Sequence, residues 1–437
     1  MDPANSPEPY IYADNAATTP LSPVALDAMM PFLADAFGNP SGIHRMARQA
    51  AEALNSARAR MAELLGAERA NEVYFTSGGS ESDNWVLRGA VQRFRDLHGS
   101  DAVPRIVTSS IEHHAILHCC EALERGGVEV TYLPVDEHGF VRAHDLEAAL
   151  IANEQKEHAE HASSCDNTTH ATALVSIMLA NNEVATIEPI RELAAVAHRH
   201  GVPFHTDAVQ AVGHIAVDVR ELGVDALSLS AHKFHGSRGV GALYLRDGFS
   251  IPPLIAGGAQ ERGERAGTEN LAGIVGMTAA LDEAVHDLDR NAQRVSSARD
   301  ELVQHILASC KGVHLTGAPC VSATAAANDH TSNRLPSIAS FTCNNVDGEL
   351  LVVLLDRTGV AAATGSACST GSTEPSHVLT AMGISPISAR GALRLSLAES
   401  ITREELDLLK QRVPAAIKRA YLMSGITPTQ FDSILGS

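Results

Sequence analysis

Aromatic, positively charged and cysteine residues are all scarce in this chain of 437 residues. Phe, Trp and Tyr make up only 4% of the chain, so we do not expect the stacked aromatic surfaces that bind single-stranded nucleic acid. The 33 Lys and Arg residues are outnumbered by 52 Asp and Glu, which gives a net charge of −19. This charge argues against nucleic acid or an anionic membrane surface as a partner.

The seven cysteines are odd in number and irregularly spaced, and no two form a Cys-x-x-Cys pair. This spacing argues against a disulfide framework and a structural zinc site, so we expect reduced thiols and no metal. No apolar run approaches the ~20 residues that a membrane helix needs. The N-terminus is acidic and rich in proline, unlike a signal peptide or an Arg-rich presequence. We therefore expect a cytoplasmic protein.

What the chain does contain is a regular alternation of strand-like and helical patterns through its first 250 residues. The strand-like runs fall at 72–76, 105–109, 129–135, 173–178, 203–206, 226–230 and 241–245, and helical stretches include 47–65, 115–125 and 190–200. This alternation predicts the α/β class, with a mostly parallel seven-stranded sheet between helices.

The pattern changes after about residue 270. A long helix is predicted over 273–309, strands over 338–342 and 392–396, and a further helix from residue 402. We therefore predict a large domain over 22–270 and a smaller α+β domain formed by 1–21 and 271–437.

Two polar stretches, about 152–172 and 320–336, interrupt the predicted elements. The first contains His158, His161, Cys165 and His170, whose spacing is also compatible with metal ligands. Its composition and its lack of apolar periodicity favour a flexible surface insertion. The second stretch has the same character.

The first motif that carries chemistry is a glycine and serine turn between a strand and a helix, at Ser77-Gly78-Gly79-Ser80. Backbone N–H groups at such a turn, together with the helix N-terminus, can hold a phosphate. The turn is neither a Walker A loop nor a dinucleotide fingerprint, because neither pattern of residues is present. An ordinary capped turn is the alternative.

Two further motifs follow at predicted strand ends. Asp207 ends the strand at 203–206, where open α/β sheets bind ligands, or it simply caps the next helix. Lys233 follows the strand at 226–230 and is either a solvated charge or a desolvated nucleophile. A phosphate site, an acid and a lysine are together what pyridoxal phosphate requires.

Two more residues stand out near the C-terminus. Cys368 lies among small residues, which is typical of an exposed loop thiol and less so of a buried core cysteine. Arg394 interrupts an apolar alternation, where it could bind a carboxylate with two hydrogen bonds or form an internal ion pair.

With these residues in place, the chain resembles the cysteine desulfurases, pyridoxal-phosphate enzymes of the class V aminotransferase group. The resemblance runs from Tyr12 to about Glu405. It includes Gly38-Asn39-Pro40-Ser41, Glu112-His113, Ala180-Asn181-Asn182-Glu183, Ser230-Ala231-His232-Lys233 and Gly365-Ser366-Ala367-Cys368. Ser80 and Ser237 depart from the family pattern, which often has Thr and Pro there. The resemblance implies fold type I of the pyridoxal-phosphate-dependent transferases.

The resemblance also implies roles for particular residues. Lys233 would form the Schiff base with the cofactor, Cys368 would receive sulfur as a persulfide, and His113 would stack on the ring and assist catalysis. The remaining cofactor contacts would come from Gly79, Ser80, Asp207, Gln210, Ser230 and His232, with Thr268 reaching the partner subunit's cofactor. Asn182 and Arg394 would bind the substrate, with Asn15 nearby. A homodimer with shared active sites follows from the role of Thr268.

The implied function is conversion of L-cysteine to L-alanine, with sulfur passed to an acceptor protein for iron–sulfur cluster or thio-cofactor assembly. One alternative is a selenocysteine lyase that acts on L-selenocysteine, because these relatives share nearly every catalytic residue. Another is a different lyase or aminotransferase of the same fold, for which Cys368 would be incidental. A non-catalytic scaffold is a third, and the intact set of Lys233, Asp207, His113 and Arg394 argues against it.

Overall fold

The structure is a computed structural model that describes residues 9–163, 169–320, 333–365 and 375–425, and it describes side chains except at 157–163. Cys368 and parts of both polar stretches lie outside these ranges. Among the described residues, no helix is both long and apolar enough to cross a membrane.

The described chain forms twelve strands and thirteen helices. The strands are β1 Ile11–Tyr12, β2 Val73–Thr76, β3 Val103–Ser109, β4 Glu129–Leu133, β5 His170–Ser176, β6 Phe204–Asp207, β7 Ala226–Ser230, β8 Gly241–Leu245, β9 Val313–Leu315, β10 Ile338–Cys343, β11 Val360–Ala361 and β12 Ala392–Ser396. The helices are α1 Pro23–Ala34, α2 Arg45–Leu64, α3 Gly79–His98, α4 His114–Glu124, α5 Ala143–Ser163, α6 Ile190–Arg199, α7 Val219–Leu222, α8 Leu271–His286, α9 Leu288–Ser309, α10 Gly348–Asp356, α11 His377–Ala381, α12 Pro386–Ala389 and α13 Arg403–Met423.

The largest sheet has seven strands in the order β2-β8-β7-β6-β5-β3-β4. Its pairs are parallel except for the two made by β8, which runs antiparallel to both of its neighbours. The prediction of an α/β fold with a mostly parallel seven-stranded sheet is therefore confirmed. Every strand except β8 points the same way, so six carboxyl ends lie along one edge of the sheet.

Helices cover both faces of this sheet, because its central strands are apolar on both sides. All five residues of β7 are buried. On one face, α2, α6 and α8 supply buried aliphatic side chains, and on the other face α3 and α4 do so. A central strand buried on both faces is what parallel pairing with crossover helices requires.

A second, antiparallel sheet has the order β12-β10-β9 and packs with α9, α10 and α13 around its own core. Side chains of α8 such as Met277 and Leu281 belong to the core of the large sheet. Packing therefore changes from one core to the other between α8 and α9, and not at the predicted boundary near residue 270.

The helix predicted over 273–309 is two helices, so this prediction is wrong. Asp287 separates α8 from α9 with a non-helical backbone, φ −106° and ψ 11°. Aspartate is a weak helix former. The break lets the two helices pack against different cores. The spacing of apolar residues along the sequence does not indicate where such a change of packing partner occurs.

Part of the stretch 152–172, which its composition predicts to be a flexible insertion, has regular secondary structure. Helix α5 continues through residue 163, and strand β5 begins at His170. Ala, Glu, Gln and Lys dominate residues 152–163, and these are strong helix formers even without an apolar face. Of the four possible metal ligands in this stretch, only the side chain of His170 is described.

The end of the second polar stretch also belongs to the fold. Arg334 is buried and donates hydrogen bonds to the carbonyls of Ala318, Thr316 and Ile338. The backbone beside it pairs with the large domain, since Leu335 N donates to Ala185 O at 2.8 Å. Residues 333–335 thus join the two cores.

A buried ion pair holds the turn that leads towards Thr268. The guanidinium of Arg58 binds both carboxylate oxygens of Glu261 at 2.6 Å, and Phe75 N donates to the same carboxylate at 3.1 Å. Glu261 and Arg262 have left-handed φ values of 45° and 63°, which are unfavourable for residues other than glycine. The ion pair therefore stabilises a strained turn.

We predict that Arg58→Met lowers the free energy of unfolding by about 3–5 kcal/mol, because it leaves a carboxylate buried without its partner. Arg69→Met is the matched control, since its pair with Asp247 is exposed and should contribute about 1 kcal/mol or less. Thermal or urea unfolding of both variants measures the difference. Equal losses in the two variants would contradict the assignment.

Candidate active site

One cavity of about 350 Å³ lies at the edge of the large sheet where the carboxyl ends of its strands meet. The residues that follow β2, β3, β5, β6 and β7 all contribute to its wall. Ten of the thirteen predicted site residues line it, namely Gly79, Ser80, His113, Asn182, Asp207, Gln210, Ser230, His232, Lys233 and Arg394. These residues span more than 300 positions of sequence, and only the fold brings them together.

Asp207 is the last residue of β6 and is buried in the cavity wall. One carboxylate oxygen accepts a hydrogen bond from Val209 N at 2.9 Å. Burial raises the pKa of Asp207, and the Val209 N–H and the positive charge of Lys233 oppose that rise. The carboxyl is thus placed to exchange a proton or a strong hydrogen bond with a basic ring nitrogen.

Lys233 ends a short 3-10 turn, Ala231–Lys233, that directly follows β7. Its Nζ donates to the carbonyls of Ala16 at 2.6 Å and Ala17 at 3.0 Å. The amide of Gln210 donates to the same Ala16 carbonyl at 2.7 Å. The N-terminal segment therefore closes one side of the cavity and holds the lysine within it.

His113 follows β3 and is the N-cap of α4, where its Nδ1 accepts from Ala115 N at 3.1 Å. This bond assigns the ring proton of the neutral imidazole to Nε2. Burial and the nearby positive charge of Lys233 lower the pKa of His113 to about 4. The ring is therefore neutral at physiological pH, and it lines the cavity.

The N-terminus of α3 forms the end of the cavity that suits an anion. Gly78 is the N-cap, and no side chain among the described residues caps the first turn. The N–H groups of that turn, with Ser80 and Ser230 beside them on the cavity wall, can therefore bind a phosphate. A β-carbon at Gly79 would lie 2.5 Å from Val209 Cγ2, so only glycine permits this close approach.

His232 also faces this end of the cavity. Its Nδ1 is 3.2 Å from the hydroxyl of Thr18. Burial and the positive charges of Lys233 and Arg238 lower the pKa of His232 to about 4. A neutral imidazole can still donate one hydrogen bond to a phosphate oxygen.

Arg394 extends from β12 of the second sheet and lines the cavity. It is 2% exposed, and its two Nη atoms donate at 2.9 Å to the backbone oxygen of Asn182 and to Oδ1 of Asp14. Its Nε has no hydrogen-bond partner among the described residues. A buried donor left free on a cavity wall suits a ligand carboxylate.

Two predicted residues do not line the cavity, and one cannot be placed. The amide of Asn15 donates to the carbonyls of Tyr12 at 3.1 Å and Ser396 at 2.9 Å, so it joins the two chain segments. Thr268 is exposed and lies outside the cavity wall. Cys368 lies outside the described residues. The roles proposed for these three stay predictions.

The cavity wall also includes acidic residues for which the sequence predicts no role. Glu112 and Asp83 are fully buried, and each has one carboxyl oxygen without a partner among the described residues. Oε1 of Glu112 accepts from Ser109 Oγ at 2.6 Å and from Met178 N at 3.0 Å, which ties the end of β3 to the segment after β5. Glu183 and His377 line the wall as well. In a sequence, an acidic residue usually predicts an exposed position. The only sequence feature that could have identified these acids as part of the site is that they lie beside His113, Asn182 or the glycine turn.

This set of residues fits pyridoxal phosphate and defines the class of protein. An anion site at a helix N-terminus, a buried acid, a stacking ring and a lysine surround a single cavity of suitable size. The free Nε of Arg394 remains for an amino-acid carboxylate.

Comparison with known proteins agrees with the site. Residues 11–409 match the family Aminotransferase class-V. The cysteine desulfurase IscS of Methanosarcina thermophila is 43% identical over 97% of this chain and 96% of the relative. A solved NifS-like protein superposes with a TM-score of 0.79 at 34% identity, over 94% of this chain and 100% of that one. Another solved structure, SspA in complex with cysteine, has a TM-score of 0.70 at 33% identity, over 89% of this chain and 98% of that one.

The chain therefore belongs to the class V aminotransferase family and, within it, to the cysteine desulfurases, which are pyridoxal-phosphate-dependent enzymes. The family and cofactor predicted from the sequence are confirmed. The relatives favour the cysteine desulfurase over the selenocysteine lyase.

The buried Glu112 generates a prediction about pH. Burial raises the pKa of Glu112 to about 8, against 4.5 in an exposed carboxyl. Between pH 4.5 and 8, Glu112 keeps its proton in the folded state but has lost it in the unfolded state. The stability that this bound proton contributes is therefore fully present below pH 4.5 and is lost as the pH rises through 8. Glu112→Gln should therefore gain stability relative to wild type, by about 1 kcal/mol per pH unit over this range.

Thermal unfolding of the cofactor-free protein at pH 5, 6.5 and 8 measures this difference. Glu63→Gln is the control, because the Glu63 side chain is exposed. Parallel pH profiles for wild type and Glu112→Gln would show that Glu112 is ionised in the folded protein.

Proposed function

We propose that this protein converts L-cysteine to L-alanine and transfers the sulfur to Cys368 as a persulfide. The observation that supports this most is the convergence of Asp207, Lys233, His113 and Arg394 on one cavity. The arrangement provides for a cofactor ring, a proton carrier and an amino-acid carboxylate at the same time.

The bound cofactor supplies an electron sink for negative charge that develops at the substrate Cα. Asp207 would keep the ring nitrogen protonated, and Gln210 would bind the ring hydroxyl. The N-terminal turn of α3, with Ser230 and His232, would hold the phosphate. Lys233 Nζ would carry the proton that leaves the substrate Cα.

Arg394 binds the substrate carboxylate, and its guanidinium is already oriented by Asn182 and Asp14. A guanidinium that is held before binding loses little conformational freedom when the ligand arrives. Asn182 also lines the cavity, and its side chain would contact the substrate.

Cys368 completes the reaction as a nucleophile. A free thiol has a pKa of about 8.5, so Cys368 must lose its proton to become the nucleophilic thiolate. The Cys368 sulfur then forms a bond to the substrate sulfur while the substrate C–S bond breaks. The electron pair of the broken C–S bond stays with the carbon. Protonation of that carbon yields alanine. L-Cysteine and a thiol give L-alanine and a persulfide, which balances without an external oxidant.

The sulfur acceptor and its use follow from the family resemblance. We propose that an acceptor protein removes the persulfide sulfur for iron–sulfur cluster or thio-cofactor assembly in the cytoplasm.

We predict that Cys368→Ser abolishes sulfide release from L-cysteine and leaves the visible absorption of the bound cofactor unchanged. Lys233→Ala should abolish both the activity and that absorption band. The assay measures alanine and sulfide, with L-selenocysteine as a parallel substrate. Undiminished sulfide release by Cys368→Ser, or turnover of L-selenocysteine alone, would overturn the proposal.

We also propose that two copies of the chain form the enzyme. Along one face of α1 and the residues after it, Leu26, Met30, Leu33 and Phe37 recur at helical spacing and are between 44% and 70% exposed. The opposite face of α1 packs on α8 within the large core. An exposed apolar stripe of this size favours burial against a second molecule. The exposed position of Thr268 agrees with a role at the partner's cofactor.

The double variant Met30→Asp with Leu33→Asp should convert a dimer to monomers, because charges would be buried without partners at the interface. Light scattering coupled to size exclusion measures the mass at micromolar concentration. Ile387→Asp is the matched control, since Ile387 is also exposed but lies on α12. A wild-type monomer, or a dimer that survives the double substitution, would exclude this interface.

A further inference from the structure

One carboxylate in the segment after β12 reaches the backbone around Lys233 through two histidines. Oε1 of Glu399 lies 3.0 Å from Nδ1 of His214, and Oε2 lies 3.0 Å from Nε2 of His235. On the far side of the first ring, Nε2 of His214 lies 2.9 Å from the carbonyl oxygen of Lys233. On the far side of the second, Nδ1 of His235 lies 3.0 Å from the carbonyl oxygen of Pro20. We name these three side chains the Glu399 bridge.

Each ring of the Glu399 bridge lies between two hydrogen-bond acceptors. An ionised carboxylate and a carbonyl oxygen can only accept, so both nitrogens of each ring must carry a proton for all four bonds to form. A neutral imidazole has a single N–H group and can make only one of its two bonds. The geometry therefore corresponds to two imidazolium rings that share one ionised carboxylate.

The charged groups around the bridge agree with this protonation. Burial opposes ionisation of Glu399, but its bonds to the two histidines outweigh burial and lower its pKa. Burial also opposes the charge on His235, but the bond to Glu399, with a smaller contribution from Glu283 of α8, raises its pKa above 6.5. Two cations lie beside the bridge as well. They are Lys233, whose carbonyl it binds, and Arg294 of α9, which donates to the backbone oxygen of Glu399.

His235 has a backbone conformation that needs support from its surroundings. Its φ of 65° is left-handed, which is unfavourable for residues other than glycine. Its N–H donates to Thr19 Oγ1 at 2.8 Å, and its carbonyl accepts from Ser22 N at 2.9 Å. With the bond from its ring, three hydrogen bonds tie His235 to residues 19–22. The same N-terminal segment supplies two carbonyls that accept from Lys233 Nζ, so the bridge acts on both the main chain and the side chain of the lysine.

We propose that Glu399 is a positioning residue for Lys233 and acts through the protonated rings of His214 and His235. The inference rests on the proposed function, because that function assigns Lys233 the proton that leaves the substrate Cα. Displacement of a reacting group by about 1 Å can slow a reaction a hundredfold. Loss of a proton from either ring breaks one bond of the bridge, so the position of Lys233 depends on pH.

The first measurement uses the cofactor-free protein. Glu399→Gln keeps the size of the side chain but removes the charge that both rings share. The thermal unfolding midpoint of wild type should exceed that of the variant most between pH 4.5 and 6.5, where Glu399 is ionised and His235 is protonated in the folded state. The difference should shrink as the pH rises through the raised pKa of His235, because the wild-type bridge then loses a bond as well.

The second measurement follows proton transfer in the holoenzyme. Exchange of the Cα hydrogen of L-alanine for solvent deuterium, measured by NMR, reports on Lys233 and does not involve Cys368. Glu399→Gln should slow this exchange by about tenfold to a hundredfold at saturating L-alanine. The alanine concentration that gives half the maximal rate should stay the same, because Glu399 does not bind substrate in this proposal. The gap between wild type and variant should narrow as the pH rises through the pKa of His235.

Two further variants separate this effect from a general loss of structure. Glu154→Gln is the matched control, since Glu154 Oε1 lies 2.7 Å from Nδ1 of His200 and neither residue lines the cavity. This variant should leave the exchange rate unchanged. His235→Asn removes the ring but keeps a residue that tolerates a left-handed φ. It should slow exchange as Glu399→Gln does, and the double variant should be little slower than either single one, because both substitutions break the same bridge.

The outcomes distinguish the inference from the proposed function. Equal exchange rates in wild type and Glu399→Gln, or a gap that does not change with pH, would overturn the positioning role. Absence of exchange in wild type would overturn it too, because Lys233 would then move no proton. Exchange in wild type without sulfide release from L-cysteine would refute the proposed function and leave the role of Glu399 standing. If Glu399→Gln fails to fold, His235→Asn decides the question by the same measurements.

Discussion

Parallel pairing of β3, β5, β6 and β7 forces every connection between these strands to cross a face of the sheet. Each strand therefore ends at the same edge, and each crossing helix begins there. The segments that follow the strands lie side by side at this edge. Their polar residues are not buried in the hydrophobic core there and can line a cavity. The positions of Asp207 and Lys233 at one edge of the sheet, and the cavity between them, follow from this one constraint on backbone hydrogen bonding.

Burial then sets the charge of the cavity wall. It lowers the pKa of His113 and His232 to about 4 and raises that of Glu112 to about 8, so all three groups are uncharged near pH 7. The wall is thereby polar but carries few charges. The interactions of Asp207 and Arg394 with a ligand are stronger in such surroundings than in water, because little solvent or opposing charge screens them.

The site also depends on the contact between two cores. Arg394 belongs to the antiparallel sheet, but its hydrogen-bond partners are Asn182 of the large domain and Asp14 of the N-terminal segment. Residues 333–335 pair with the large domain at Ala185. Movement of one core relative to the other would shift the carboxylate site with respect to Lys233. These hydrogen bonds therefore preserve the distance between Arg394 and Lys233.

The local sequence pattern alone determined the position of several strands and of two site residues. Strands β7, β8 and β12 have the bounds that their apolar runs predict, and Asp207 and Lys233 stand at strand ends because strand and turn signals are local. Tertiary structure decided what no local pattern contains. The break at Asp287 reflects packing against two cores, and the bond from Ser376 to Glu183 joins residues that are 193 positions apart. Such contacts arise from how the chain folds back on itself, and the residues that make them carry no distinguishing local signal.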